Sequence, residues 1–545
     1  MSPRDDSRDP RRNPGRGDES RGASGRGDTG RSDSGRSNRN DSGRSDSGRN
    51  DSARGDGRGS PGRRGPDRRK PATPTAGPSA VQPARRIALE VITAVREDDA
   101  YANLLLPTKI AAARLDTADA GLATELTYGT LRMRGYYDRV IELAAGRPID
   151  EIDGRVRDVL ELGCHQILSL RVVQHAAVNE SVELARQVAS RSSTGFVNGV
   201  LRTIARTPAS EWLEKAVDAA DAGGDDERLA VAASHPAWVI RAFRRALGAD
   251  GVPADQVPFE LDELLESDNT PARLSLAALP GLIDRDAVGA GTEPSPLSPI
   301  GLLAPTGDPS GIPAVHDGVA RVQDEGSQLA ALALTRAAPI VTGERWLDLC
   351  AGPGGKTAVL AAEAAPAGAV VVANEPVPAR AGLVRRAVAA IPDPPVVWER
   401  DGTTIGADQP EAFDRILVDA PCTGLGALRR RPEARWRKTP GDVAALVQLQ
   451  QQLIDSAVGA LKPGGLLAYV TCSPHVGETR GQVQGALRRW DGVLEQVDTQ
   501  QVLREITDDA ITLGGEDAAA QLWPHRNNTD AMFIALFRKV APAAS

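Results

Sequence analysis

No run of about 18 apolar residues occurs anywhere in this sequence, which excludes a membrane-spanning helix from the reading. An apolar stretch is also missing at the start, where Arg4, Asp5, Asp6 and Arg8 stand in place of the hydrophobic segment a secretion signal needs. We therefore expect a soluble, cytoplasmic monomer. Cysteine is scarce: Cys164, Cys350, Cys422 and Cys472 are the four in 545 residues. They are too few for a disulfide framework, and with no C-x-x-C pair they do not suggest zinc, so reduced thiols are expected. Three of the four lie beside Gly/Pro-rich turns in the C-terminal half, an odd placement for a side chain that usually hides as a small hydrophobe. Positive charge is short as well. Residues 1–70 carry 19 Lys and Arg against 12 Asp and Glu, or +7, which leaves 46 against 61, or −15, for the remainder. Any polyanion must then be held by local basic patches and by the tail, since bulk charge does not supply the attraction.

What is present divides sharply along the chain. Residues 1–80 repeat Ser-Gly-Arg, Asn-Asp-Ser and Arg-Gly-Asp with almost nothing apolar before Ala80-Val81. Such a composition cannot bury a core and predicts a disordered tail. Arg-Gly tails often touch nucleic acid, and as often act as solubilising segments alone. The rest is too long for one core, which seldom serves beyond about 250–300 residues, so several folded units follow. From Pro83 to Arg206 apolar residues recur at helical spacing. Ile87, Val91, Ile92 and Val95 share one face; Leu122, Leu126, Gly129 and Met133 share another; Val156, Val159, Leu160, Gly163 and Ile167 share a third. About five to seven helices with short connections predict an all-α domain over 83–206.

Four segments of that domain resemble the NusB RNA-binding family: Arg85-Arg86-Ile87-Ala88, Glu125 to Arg132, Ala177 to Ala185, and Phe196 to Arg202. The resemblance implies docking of ribosomal-type RNA. Asn179, Asn198 and Arg202 within these segments also read as helix caps or pairs inside the bundle. Residues 207–318 are less legible. Ser234-His235-Pro236-Ala237-Trp238 opens a helix, Ala272 to Leu276 reads as a strand, and residues 283–318 are rich in Gly and Pro, together predicting a small α+β linker domain.

Over 319–541 strand and helix alternate. Arg345–Leu349, Val370–Ala373, Val396–Trp398, Arg415–Val418 and Leu466–Val470 are short β-rich runs between Ala/Leu-rich helices, which predicts an α/β, Rossmann-like open parallel sheet. Ligands bind such sheets at the carboxyl ends of the strands, and most of the notable polar residues follow a strand. The first run leads into Cys350-Ala351-Gly352-Pro353-Gly354-Gly355-Lys356-Thr357, where glycine lets backbone approach a ligand. A Walker A loop needs Gly at the position of Cys350, and G-x-G-x-x-G spacing is absent, so ATP and nicotinamide readings fall behind. Glu375 ends the next strand, placed to accept hydrogen bonds from ribose hydroxyls, while Asp401 and Asp419 follow the third and fourth. Arg380 stands close behind Glu375. This set suits a cationic nucleoside without phosphates, such as S-adenosylmethionine.

Asp419-Ala420-Pro421-Cys422-Thr423-Gly424 and Thr471-Cys472-Ser473-Pro474 follow neighbouring strands. With the Cys350–Lys356 loop they resemble the RNA 5-methylcytosine methyltransferases of class I fold. The attached NusB-like domain is similar to the RsmB (Sun/Fmu) family, which acts on small-subunit 16S ribosomal RNA. The resemblance spans residue 83 to about 540. Asn528 and Ala531-Met532 depart from it, standing where Gly and Gly-Phe are common, and Glu375 replaces a more frequent Asp. It implies a donor site of Cys350, Ala351, Gly352, Pro353, Gly354, Gly355, Lys356, Glu375, Arg380, Asp401 and Asp419. It also implies Cys472 as the thiolate that adds to carbon 6 of cytosine, Cys422 as the group assisting proton removal and release, Asp419 at the base edge and Lys356 near a thiol. The DNA enzymes use the Pro-Cys thiol as nucleophile, so the reverse assignment stays open at this point. No metal is expected.

A flipped base calls for positive and aromatic surface. Arg429, Arg430, Arg431, Arg435, Trp436, Arg437 and Lys438 follow the Cys422 loop and are expected to contact RNA. Two other classes remain: a methyltransferase acting on transfer RNA or protein, and a non-catalytic NusB-like binding factor.

Overall fold

The computed structural model describes residues 81–305 and 307–540; the tail expected over residues 1–80 lies outside them. Seven helices come first: α1 Pro83–Glu97, α2 Ala102–Ala113, α3 Thr117–Arg132, α4 Arg134–Ala145, α5 Gly154–Leu168, α6 Gln174–Val188 and α7 Arg191–Ala205. Asp116, Asp153 and Ser190 start α3, α5 and α7 by accepting otherwise unpaired backbone N–H groups. The three apolar stripes meet as expected, with Ile87, Val91, Leu126, Val156, Val159 and Leu160 buried in one core.

Four further helices, Ala209–Asp218, Asp225–Ala232, Ala237–Ala249 and Val257–Asn269, precede a small antiparallel sheet. Its strands are β1 Ser275–Ala278, β2 Glu293–Pro294, β3 Gly301–Leu303 and β4 Ala320–Val322, in the order β2-β3-β1-β4. Because β4 pairs with β1, the α+β region runs past the expected limit at residue 318.

The large sheet contains β5 Arg345–Asp348, β6 Val370–Asn374, β7 Val396–Trp398, β8 Phe413–Asp419, β9 Leu461–Thr471, β10 Leu494–Val497, β11 Ala520–Gln521 and β12 Phe533–Lys539. Its order is β10-β12-β9-β8-β5-β6-β7, with β11 on β12. The five runs expected from sequence are β5 to β9, and they are parallel, while β12 joins β9 and β10 antiparallel. Both faces are covered. Trp346 and Leu417 pack with Leu332 and Leu360 of helices Glu325–Arg336 and Gly355–Ala364; Leu347, Ile416 and Val418 pack with Leu453 and Ile454 of helix Pro440–Ala460. Alternation between two buried faces is why these strands read as continuous apolar runs. The chain moves outward from β5 through β7 and then returns to β8, so the strand order reverses between β5 and β8. That reversal opens a crevice at the carboxyl ends. Among the described residues no helix is long and apolar enough to cross a membrane.

Candidate active site

The loop after β5 turns on Gly354, which has φ +105°. A Cβ there would sit 2.5 Å from Ala387, and one on Gly352 would sit 2.1 Å from a Glu375 carboxylate oxygen. Both glycines are therefore required for the loop to approach β6 and the helix Pro378–Ala387. Glu375 is buried and accepts from the Val377 N–H at 3.0 Å. Arg380 donates to the Gly352 carbonyl at 2.8 Å and lies 3.4 Å from Glu375, so it ties the loop to the acid. Asp401 is exposed, and one oxygen accepts from the Thr403 N–H at 2.9 Å and hydroxyl at 2.7 Å, which holds its carboxyl below the usual range.

Lys356, on the first turn of helix Gly355–Ala364, donates to Asp419 at the end of β8 at 2.8 Å. Burial opposes its charge, but the Asp419 carboxylate outweighs that and raises the amine's pKa. Asp348, unsought in the sequence, lies beneath. It is buried and accepts from the Thr357 hydroxyl at 2.7 Å, and burial first, then Asp419, pushes its carboxyl up to about 7.

Beyond Lys356 the two cysteine loops meet. The Cys422 and Cys472 sulfurs are 3.4 Å apart, a contact distance for an S–H donor and a sulfur acceptor. The thiols shift in opposite directions. Contact with Cys422, followed by the charges of Lys356 and Arg431, lowers Cys472 against burial and Asp419, whereas the same contact and burial raise Cys422. Burial also raises Cys350.

The structure corrects much of the basic run. Arg435 is fully buried and donates to the carbonyls of Arg132, Ser234 and Asp268 and to the Asn269 side chain. Arg132 and Asn269 close α3 and helix Val257–Asn269, where helix-end carbonyls lack partners of their own. Trp436 packs on Gly135, leaving no room for a Cβ there. Arg437 pairs with Asp99 at 3.1 Å, bonds the Ala100 carbonyl and covers the Tyr101 ring. Arg429 and Arg430 bind Asp530, with Asn528 and Asp324 completing the cluster. These five side chains are occupied within the protein. Arg431 is exposed and Lys438 half-buried.

The reversed sheet order, the glycine loop at its crevice and the paired thiols define a methyltransferase of the S-adenosylmethionine-dependent class. A family model described as 16S rRNA methyltransferase RsmB/F matches residues 337–538, and the NusB family model matches residues 82–206. The protein Rv1407 of Mycobacterium tuberculosis, which carries a methyltransferase name, is 46% identical over 463 residues, covering 84% of this chain and 97% of its own length. Ribosomal RNA small subunit methyltransferase B of Vibrio cholerae is 30% identical, covering 77% and 90%; the enzyme of the same name from Erwinia tasmaniensis is 31% identical, covering 74% and 90%. Among solved structures, PH0851 aligns with a TM-score of 0.69 at 21% identity, covering 85% of this chain and all of that one, which shows a shared fold. The chain belongs to the 16S rRNA methyltransferase RsmB/F family.

Proposed function

We propose that this chain forms 5-methylcytosine in small-subunit 16S ribosomal RNA, with Cys472 as the nucleophile and Cys422 assisting release. The observation that carries the reading is the pair of sulfurs 3.4 Å apart, beside the Lys356–Asp419 pair. Carbon 5 of cytosine is a weak nucleophile. Addition of the Cys472 thiolate to carbon 6 forms an S–C bond and pushes electron density to carbon 5. Asp419 hydrogen-bonds the base edge near N3 and supports that shift, while Lys356 holds Asp419 in place and favours the thiolate. After methylation Cys422 helps remove the carbon 5 proton, the carbon 5–carbon 6 double bond returns, and the bond to Cys472 breaks. The charges of Lys356 and Arg431, which act on the Cys472 thiol, favour this assignment over its reverse.

S-Adenosylmethionine supplies the electrophilic methyl group. The close approach that Gly352 and Gly354 permit suits a nucleoside lying on backbone, so Cys350 to Gly355 form its cradle. Glu375 accepts from the ribose, Asp401 and Asp419 line the cleft, and Arg380 holds the loop closed against Glu375. The basic side chains left for RNA are Arg431 and Lys438. Names of the Vibrio and Erwinia relatives support the ribosomal substrate.

The test is methyl transfer from labelled S-adenosylmethionine to 16S ribosomal RNA and, separately, to transfer RNA, with nucleosides identified by mass spectrometry. We expect 5-methylcytidine in 16S RNA alone and none with Cys472→Ala. Label in transfer RNA, or in another nucleoside, contradicts the proposal.

A further inference from the structure

Glu478 is fully buried in the short turn Val476–Glu478 that follows Cys472, and no role described above uses it. Its carboxylate accepts from the Thr423 N–H at 2.8 Å, the Thr423 hydroxyl at 2.5 Å, the Ser473 hydroxyl at 2.7 Å and the Gln450 amide at 3.1 Å. Gln450 also donates to the Pro421 carbonyl at 2.9 Å, and the Tyr469 hydroxyl donates to the backbone carbonyl of Glu478 at 2.6 Å. Pro421 and Thr423 flank Cys422, while Ser473 follows Cys472. One carboxylate thus gathers both cysteine loops, and helix Pro440–Ala460 holds it from behind through Gln450.

The Thr423 N–H and the Gln450 amide can only donate to this side chain, while the Thr423 and Ser473 hydroxyls, 3.0 Å from each other, can donate or accept. All four contacts meet on the one buried side chain, so removing it unties both loops at once. We propose that Glu478 is a positioning residue that fixes the gap between the two sulfurs and so lets Cys422 sustain the Cys472 thiolate. The inference rests on the Cys472 reading, but its test needs neither RNA nor methyl donor. Without the carboxylate, Thr423 and Ser473 lose their common anchor, the loops part, and the S–H donation from Cys422 is lost.

The experiment alkylates the full-length protein with iodoacetamide across a pH series and quantifies modification at Cys472 by peptide mass spectrometry. In Glu478→Ala we expect Cys472 alkylation near neutral pH to fall about tenfold, the effect of one pKa unit on the thiolate fraction. Cys422→Ala should give a similar fall, and the double variant no further fall, since Glu478 acts through the Cys422 contact. An unmoved profile in Glu478→Ala, or two falls that multiply in the double variant, overturns the proposal. Thr423→Val, which removes one hydroxyl and leaves the acid in place, gives a second reading if Glu478→Ala does not fold. It should lower Cys472 alkylation in the same direction and lose that effect in the Cys422→Ala background; an unchanged rate overturns the proposal. Methyl transfer that survives Cys472→Ala sinks the nucleophile assignment while leaving this readout intact. Normal RNA adducts together with an unmoved alkylation profile sink the positioning role alone.

Discussion

Lys356 donates to the Asp419 carboxylate, and its charge favours the ionised form of the Cys472 thiol. Replacing it with Met removes that support from Cys472, so the thiolate forms only at higher pH. The rising limb of the pH–rate profile for methyl transfer should move to higher pH, and the rate near neutral pH should fall about tenfold or more; an unmoved limb contradicts the role. Asp348 gives a second test. Its carboxyl is raised to about 7 in the folded protein from 3.8, so between those values the folded state holds the proton that the unfolded state has lost. Stability from this group is present below the unfolded pKa and is lost as pH rises through the folded one. Asp348→Asn, which cannot ionise, should melt close to wild type at about pH 4 and higher than wild type at about pH 8. Equal melting shifts at both pH values contradict the burial argument. Cys422 and Cys472 were legible in sequence because thiols are unusual in Gly/Pro turns after strands. Glu478 was not, because its partners come from three separate segments, and Asp348 read only as a strand residue.

Among the elements, the parallel strands β5 to β9 were legible as short apolar runs between helices. Leu494-Glu495-Gln496-Val497 and Ala520-Gln521, which form β10 and β11, are too short and polar to signal strands by themselves. The run from Arg429 to Lys438 shows the opposite failure. A charge cluster in sequence looks like surface, yet the guanidinium groups here meet backbone carbonyls and carboxylates supplied by segments more than 300 residues away, Ala100 lying 337 residues before Arg437. Arg435→Met leaves the carbonyls of Arg132, Ser234 and Asp268 without this donor. Denaturant unfolding should show a loss of about 2–4 kcal/mol. Arg431→Ala should leave unfolding unchanged and weaken RNA binding. The reverse pattern contradicts the division drawn within this run.

For the whole molecule, the −15 carried outside residues 1–70 leaves RNA to be held by local cations and by the +7 of residues 1–70. Affinity should fall with salt, and Arg431→Ala should reduce the slope of log K against log salt by about one. An unchanged slope places that side chain away from phosphate. The helical region and the methyltransferase sheet share the Arg435 contact with Arg132 and the Trp436 contact with Gly135. The two regions are thereby joined through packed side chains that the sequence presented as one basic stripe.

The most direct measurement is denaturing electrophoresis of Cys422→Ala after incubation with 16S RNA and S-adenosylmethionine. The account predicts a covalent protein–RNA adduct at one cytosine, lost when Cys472 is also replaced. An adduct that persists without Cys472, or one trapped by Cys472→Ala in place of Cys422→Ala, contradicts it.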